Sequence, residues 1–202
     1  MTKLKTAAEI SQKVLKQVKA ECKSGANLFE LCQKGDKLLE EETAKVYKGK
    51  KIAKGIAFPT SISPNNCVAH LSPIASEPEA QITLKAGDMV KISLGAHIDG
   101  FAGILADTLV VPGEKSADGT VVSEGESKEA GDVVTGKKAD VLMAAWLASE
   151  AATRLVKPGN KNYEVTDAVS KIAQAFGCKP MEGTYSHVLA DGRNAIASAG
   201  SE

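Results

Sequence analysis

The stretch from Gly55 to Val111, GIAFPTSISPNNCVAHLSPIASEPEAQITLKAGDMVKISLGAHIDGFAGILADTLVV, constrains this chain more than any other. After the turn signal Lys85-Ala86-Gly87-Asp88, the residues Met89, Val90, Ile92, Leu94, Ala96 and Ile98 describe a largely buried strand. Asp99-Gly100 is a hairpin turn pair, and Leu105 to Val111 supplies the next strand. Upstream, Ile56 to Phe58 is predicted as a strand that stops at Pro59, because proline cannot donate to a ladder and disfavours helix in the residue before it. Asn65-Asn66 suits a turn, with Cys67 to His70 as the returning strand. Two of the three histidines of the chain, His70 and His97, fall in this stretch.

Helices are expected on both sides of it. Ile10, Val14 and Val18, four apart, place one apolar stripe on a helix over Thr6 to Ala20, with Thr6 and Glu9 spaced as a capping box. Asn27 and Glu30 offer the same pattern ahead of a longer helix through Leu28, Leu31, Leu38 and Val46. Beyond the central stretch, residues 114–132 (EKSADGTVVSEGESKEAGD) lack helical period and are expected to be a mobile surface loop. Asp140 to Lys157 resumes helix and ends at Pro158-Gly159, while Val165, Val169, Ile172 and Phe176 mark a last helix that stops at Gly177. Met143, Trp146 and Phe176 are expected in the core. The order is helices, strands, helices, which is α+β.

At 202 residues and 43% hydrophobic, the chain can bury one sizeable core and is expected to form one globular unit. No apolar run reaches membrane-spanning length and no secretory signal opens the chain, so the expectation is a soluble intracellular protein without a membrane partner. Cys22, Cys32, Cys67 and Cys178 lack paired spacing for structural zinc and are expected to be reduced, mostly buried thiols. Formal net charge is zero, yet Met1 to Gly55 carries 13 lysines against 7 acidic residues. Lys13, Lys16, Lys19, Lys48, Lys50, Lys51 and Lys54 are the candidate phosphate-binding set in this basic end. The alternative is that they line the solvated faces of two helices, which is favoured by the scarcity of interleaved aromatic or arginine residues.

The phrases GIAFPTSIS, NNCVAHLSP, AHIDGF and RLVKPGN resemble those of the proliferation-associated, ErbB receptor-binding and fungal curved-DNA-binding proteins, non-peptidase branches of the methionine aminopeptidase family. The resemblance runs from about Thr6 to Arg193. It implies the pita-bread fold of that family, in which helices flank a mainly antiparallel sheet. It also implies binding to RNA, ribosome or DNA, roles in ribosome biogenesis and growth control, and residence in both nucleus and cytoplasm.

In the peptidases of that family, two aspartates, one histidine and two glutamates hold a metal pair, because carboxylate oxygens and an imidazole can bridge two ions and activate water. The resemblance allows each position to be checked. The first aspartate belongs to a Lys-Ile-Asp motif, and here Lys91-Ile92 is followed by Ser93. The second lies eleven residues on, where this chain has Ile104. Asp107, three residues further, would project from the opposite face of the strand. Ser186-His187 matches the family's histidine ligand, His70 its substrate-side histidine, and His97 its Ala-His-Ile-Asp-Gly position. The two glutamates would follow residue 202.

No catalytic residue, metal or cofactor is therefore expected. His70, Ser93, His97, Ile104, Asp107 and His187 form a vestigial cleft on this reading. No nucleophile elbow, Walker loop or dinucleotide fingerprint offers another chemistry. Relatives being about twice as long, the chain is expected to be a single truncated domain over 1–202, covering the amino-terminal half with a divergent tail at 194–202. A half-fold of that kind would expose a sheet edge and favour a homodimer. A metal-dependent hydrolase and a protein-interaction module remain as alternatives.

Overall fold

The computed structural model describes residues 2–115, 121–122, 134–183, 187–189 and 196–198, with side chains for 2–113 and 134–183. Two compact units make up the chain. The first holds helices α1 (Thr2–Glu21) and α2 (Leu28–Lys45) and a three-stranded antiparallel sheet in the order β1 (Lys54–Pro64), β2 (Met89–Ile98), β3 (Phe101–Val110). Two short antiparallel ribbons also belong to it. One pairs β4 (Glu114–Lys115) with β5 (Val121–Val122), and the other pairs β6 (His187–Leu189) with β7 (Ile196–Ser198). The second unit contains α3 (Gly136–Leu155) and α4 (Asn162–Ala175), packed against each other.

Period two in the sequence becomes a two-faced sheet. Val90, Ile92, Leu94, Ala96 and Ile98 of β2 are fully buried, while the alternating Lys91, Ser93 and His97 are partly exposed. Each large aliphatic side chain buried in this way contributes about 1.5–3 kcal/mol. The helices supply the cover. Along α1 the buried residues are Ala7, Ile10, Ser11, Val14, Leu15 and Val18, and along α2 they are Leu28, Leu31, Cys32, Gly35, Leu39 and Thr43. The helix α1 rides on β2 and β3, and α2 crosses β1.

Both crossings are close because glycine stands at the contact. A Cβ built on Gly103 of β3 would lie 2.5 Å from the Ala8 amide nitrogen of α1, and one on Gly35 of α2 would lie 2.4 Å from Thr60 Oγ1 of β1. Beside Gly103 a side chain of α1 reaches the ladder. The Ser11 hydroxyl donates to the Gly103 carbonyl at 2.6 Å and accepts from the Ala96 amide at 2.9 Å. Ala96 and Gly103 are partners in the β2–β3 register, so the serine ties α1 to both strands at one rung of the ladder.

The hairpin turn is as the residues require. Asp99 and Gly100 have φ of 56° and 79°, the paired left-handed conformations that join two strands with their native twist. Asn27 caps α2 by accepting from the Glu30 amide at 3.0 Å.

Several expectations need correction. The first helix begins at Thr2, and Thr6 lies inside it, with its hydroxyl donating to the Thr2 carbonyl rather than capping. The strand predicted to stop at Pro59 runs on to Pro64, because register shifts between Ile56 and Phe58 and between Phe58 and Ser61 leave the proline at a bulge where no donor is needed. Cys67 to His70 is loop, not strand, and the only ladder-like bond on that side of β1 among the described residues is the Ile62 amide to the Leu71 carbonyl. In the second unit Trp146 is 60% exposed and Met143 49% exposed, so neither is a core residue. Most of 114–132 and of 194–202 lies outside the described residues; the part that is described forms β4, β5 and β7.

All four cysteines are free. Burial pushes the thiols of Cys22 and Cys32 up to about 12, which keeps both neutral at physiological pH.

Candidate functional site

The face of the sheet turned away from α1 and α2 carries most of the sequence-predicted cleft. Register settles which side chains share it. Ser93 pairs with Ala106, Gly95 with Ile104, and His97 with Ala102, so Ser93 and Ile104 are diagonal neighbours on one face of adjacent strands. Two carboxylates at these positions would converge on one ion. A hydroxyl and a branched alkane do not. The Ile104 side chain also folds over Gly95, its Cγ1 only 2.9 Å from where a Cβ would stand. Hydrocarbon therefore covers the sheet at the place where ligand oxygens would be needed.

His70 approaches the same place from the loop after β1. Its ring lies 5.2 Å from that of Phe58, tilted by 59°, and Phe58 pairs with Gly95. The His70 backbone is left-handed, with φ of 62°, and the residue is exposed. His97 sits further along β2 on the same face, and its Nδ1 accepts a long bond of 3.4 Å from the Gly100 amide. On that face of β2 the charge flanking Ser93 is positive, since Lys91 lies two residues away. Its ammonium donates to the Asn65 carbonyl at 2.6 Å, and burial holds its pKa below the usual lysine value.

Asp107 belongs elsewhere. It pairs with Ile92, whose side chain is buried beneath the helices, and its carboxylate forms an ion pair with Lys19 of α1. The nearest acidic residue to Ile104 along β3 is thus on the wrong face and already neutralised. The backbone of His187 opens β6 opposite Ser198, and its side chain lies outside the described residues. Among the described residues, no three His, Cys, Asp or Glu side chains gather as a group able to hold a metal ion. Among the described residues, the side chains at these positions do not make up the ligand set of a metal pair.

The seven candidate lysines separate into two kinds. Lys13 is paired with Glu42 at 2.7 Å and Lys19 with Asp107, while the Lys54 ammonium donates to the Val46 and Ala44 carbonyls at 2.6 and 3.3 Å, where it closes the C-terminus of α2. Lys13 and Lys45 together hold the Glu42 carboxyl below the usual range. Lys16, Lys48, Lys50 and Lys51 are exposed and make no ion pair with an acidic side chain among the described residues. Sequence reasoning missed Ser11. Its signal was a polar residue directly beside an apolar helical stripe, too common a pattern to single out.

Among the described residues, no helix is long and apolar enough to cross a membrane. Comparison with known proteins places the fold. The chain is 51% identical over 187 residues to the curved DNA-binding protein of Schizosaccharomyces pombe, a match covering 93% of this chain and 44% of that protein. It is 44% identical to ERBB-3 binding protein 1 of Arabidopsis thaliana, covering all of this chain and 47% of that one. The chain thus spans about half the length of these curated relatives. The solved structure of a thermophilic Arx1 superposes with a TM-score of 0.71 at 34% identity, over 91% of this chain and 50% of that chain. Helices on one side of a mainly antiparallel sheet are the arrangement of the amino-terminal half of the pita-bread fold. The model of metallopeptidase family M24 matches residues 2–192, and the chain belongs to that family.

Proposed function

We propose that this chain is a non-catalytic member of its family that works by binding nucleic acid, whether as RNA, the ribosome or DNA, in ribosome biogenesis or growth regulation, in both nucleus and cytoplasm. The observation that carries the reading is the pair Ser93 and Ile104, neutral side chains sharing the sheet face where the family's peptidases need anions. A water held by no metal and facing no carboxylate keeps its high pKa, so hydrolysis has no nucleophile there. The reading is supported by the names of the relatives, which describe binding to curved DNA and to ERBB-3. The basic amino-terminal quarter supplies a surface of the right sign.

Metal-dependent hydrolysis is the competing reading, with the family name in its favour. It would require ligands from outside the Ser93–Ile104 face, because Asp107 is turned toward Lys19.

Binding is tested by titrating the whole chain against an RNA hairpin and a duplex DNA at increasing salt. Release of condensed counterions makes the logarithm of affinity fall linearly with the logarithm of salt, by about 0.9 for each duplex phosphate contacted. A steep fall is expected on at least one of the two. Affinity that is absent at low salt, or indifferent to salt, would remove the nucleic-acid reading.

A further inference from the structure

The basic surface is not uniform, and its one concentrated part is a built turn. Between Glu42 and Glu77 the chain contains no acidic residue, while Lys45, Lys48, Lys50, Lys51 and Lys54 all fall there. Glu42 cannot offset the turn, since it already serves Lys13 and Lys45. Lys54 is committed to the end of α2 through the Ala44 and Val46 carbonyls. What is left is three exposed cations within four residues.

This segment is held rather than trailing. Tyr47 packs against the core cluster, and its backbone is left-handed with φ of 49°, followed by Gly49 at 77°. The Lys50 amide donates back to the Tyr47 carbonyl at 3.3 Å, and the Ile52 amide to the Lys50 carbonyl at 2.9 Å. The Lys50 ammonium lies 5.7 Å from the centre of the Tyr47 ring, a cation–π distance. Cations anchored in this way lose less freedom on meeting a partner than lysines on a loose tail. Lys16, by contrast, stands far along α1 from Lys5, the other exposed lysine there without an ion pair among the described residues.

We propose that Lys48, Lys50 and Lys51, presented by the turn after α2, are the contacts to the phosphates of a nucleic-acid backbone, and that Lys13, Lys19 and Lys54 serve the fold. The proposal rests on the nucleic-acid reading above and goes beyond it by dividing the lysines. Ammonium groups act as compact point charges, suited to phosphates and indifferent to base sequence, so either RNA or DNA backbone satisfies the chemistry.

Three forms of the whole chain test it: wild type, the triple variant K48Q/K50Q/K51Q, and the double variant K13Q/K19Q. Affinities for an RNA hairpin and a duplex DNA of equal phosphate number are measured across salt, with thermal melts to show that each variant folds. The triple variant is expected to lower the salt slope by about 2–3 on the substrate that wild type binds, in line with about 0.7–0.9 for each of three phosphates. At low salt its affinity is expected to drop at least about tenfold, while the double variant keeps the wild-type slope. The substrate that shows the loss names the source of the phosphates. A triple variant with the wild-type slope on both substrates, or a double variant that loses as much, overturns the division of the lysines even though wild type binds. A wild type that binds neither substrate overturns the underlying reading instead.

Discussion

Replacing Gly103 with alanine is expected to cost the fold at least about 3 kcal/mol, the upper end of the range for forcing extra volume into a packed interior. The reason is which atoms stand in the way. The new methyl would meet the Ala8 amide nitrogen at 2.5 Å, the Ala8 Cα at 2.7 Å and the Ala7 carbonyl carbon at 2.8 Å, all of them helix backbone. Backbone cannot rotate aside, so α1 must lift from the sheet and uncover Ile10, Val14 and Val18 together. Gly35→Ala is the comparison. There the obstacle is the buried, β-branched side chain of Thr60, whose Oγ1, Cγ2 and Cβ would stand 2.4, 2.6 and 2.9 Å away, so a loss of the same order is expected. Urea unfolding of both variants checks this. A Gly103→Ala protein as stable as wild type would show that α1 does not lie on β3 as described.

Ser11→Ala is expected to lower stability by about 1–3 kcal/mol, because it removes the buried hydroxyl that bonds the Gly103 carbonyl and the Ala96 amide. In the native fold the hydroxyl donates toward the Gly103 carbonyl at 2.6 Å, with the Ala7 carbonyl at 3.0 Å, and its oxygen receives the Ala96 amide. The substitution removes almost no volume, so the loss reports hydrogen bonding rather than packing. Hydrogen exchange at the Ala96 amide should accelerate beyond what global destabilisation explains. A change below about 0.5 kcal/mol would mean that the serine adds nothing to the β2–β3 ladder.

Where the sequence was readable, strong local chemistry and tertiary demand coincided. The alternation from Met89 to Ile98 and the Asp99-Gly100 pair state both the strand and its turn, and the structure has them. Pro59 misled because a proline ends a strand only where its missing N–H is needed, and two bulges remove that need. Thr6 with Glu9 has the spacing of a cap, but the helix had already begun at Thr2. No local rule distinguishes these cases. Trp146 was misplaced for another reason: α3 is apolar on most sides, so its pattern does not say which side the α4 contact covers.

At the candidate site the legible part was spacing. Eleven residues separate Ser93 from Ile104 in sequence, and the hairpin register makes that spacing a diagonal pair on one face, which also turns Asp107 to the other. The illegible part was pairing. Nothing in the order of residues says that Lys13 meets Glu42 or that Lys19 meets Asp107, since both bonds join elements far apart in the chain. Only with these partners in place does the lysine-rich quarter resolve into cations that hold the fold together and cations that face outward.

Metal binding under aminopeptidase conditions tests the account most directly. The whole chain, dialysed against manganese or cobalt and analysed for bound metal, is expected to retain much less than one equivalent and to release no amino-terminal methionine from peptides. A stoichiometric pair of tightly bound ions, with turnover that His187→Ala abolishes, would contradict it.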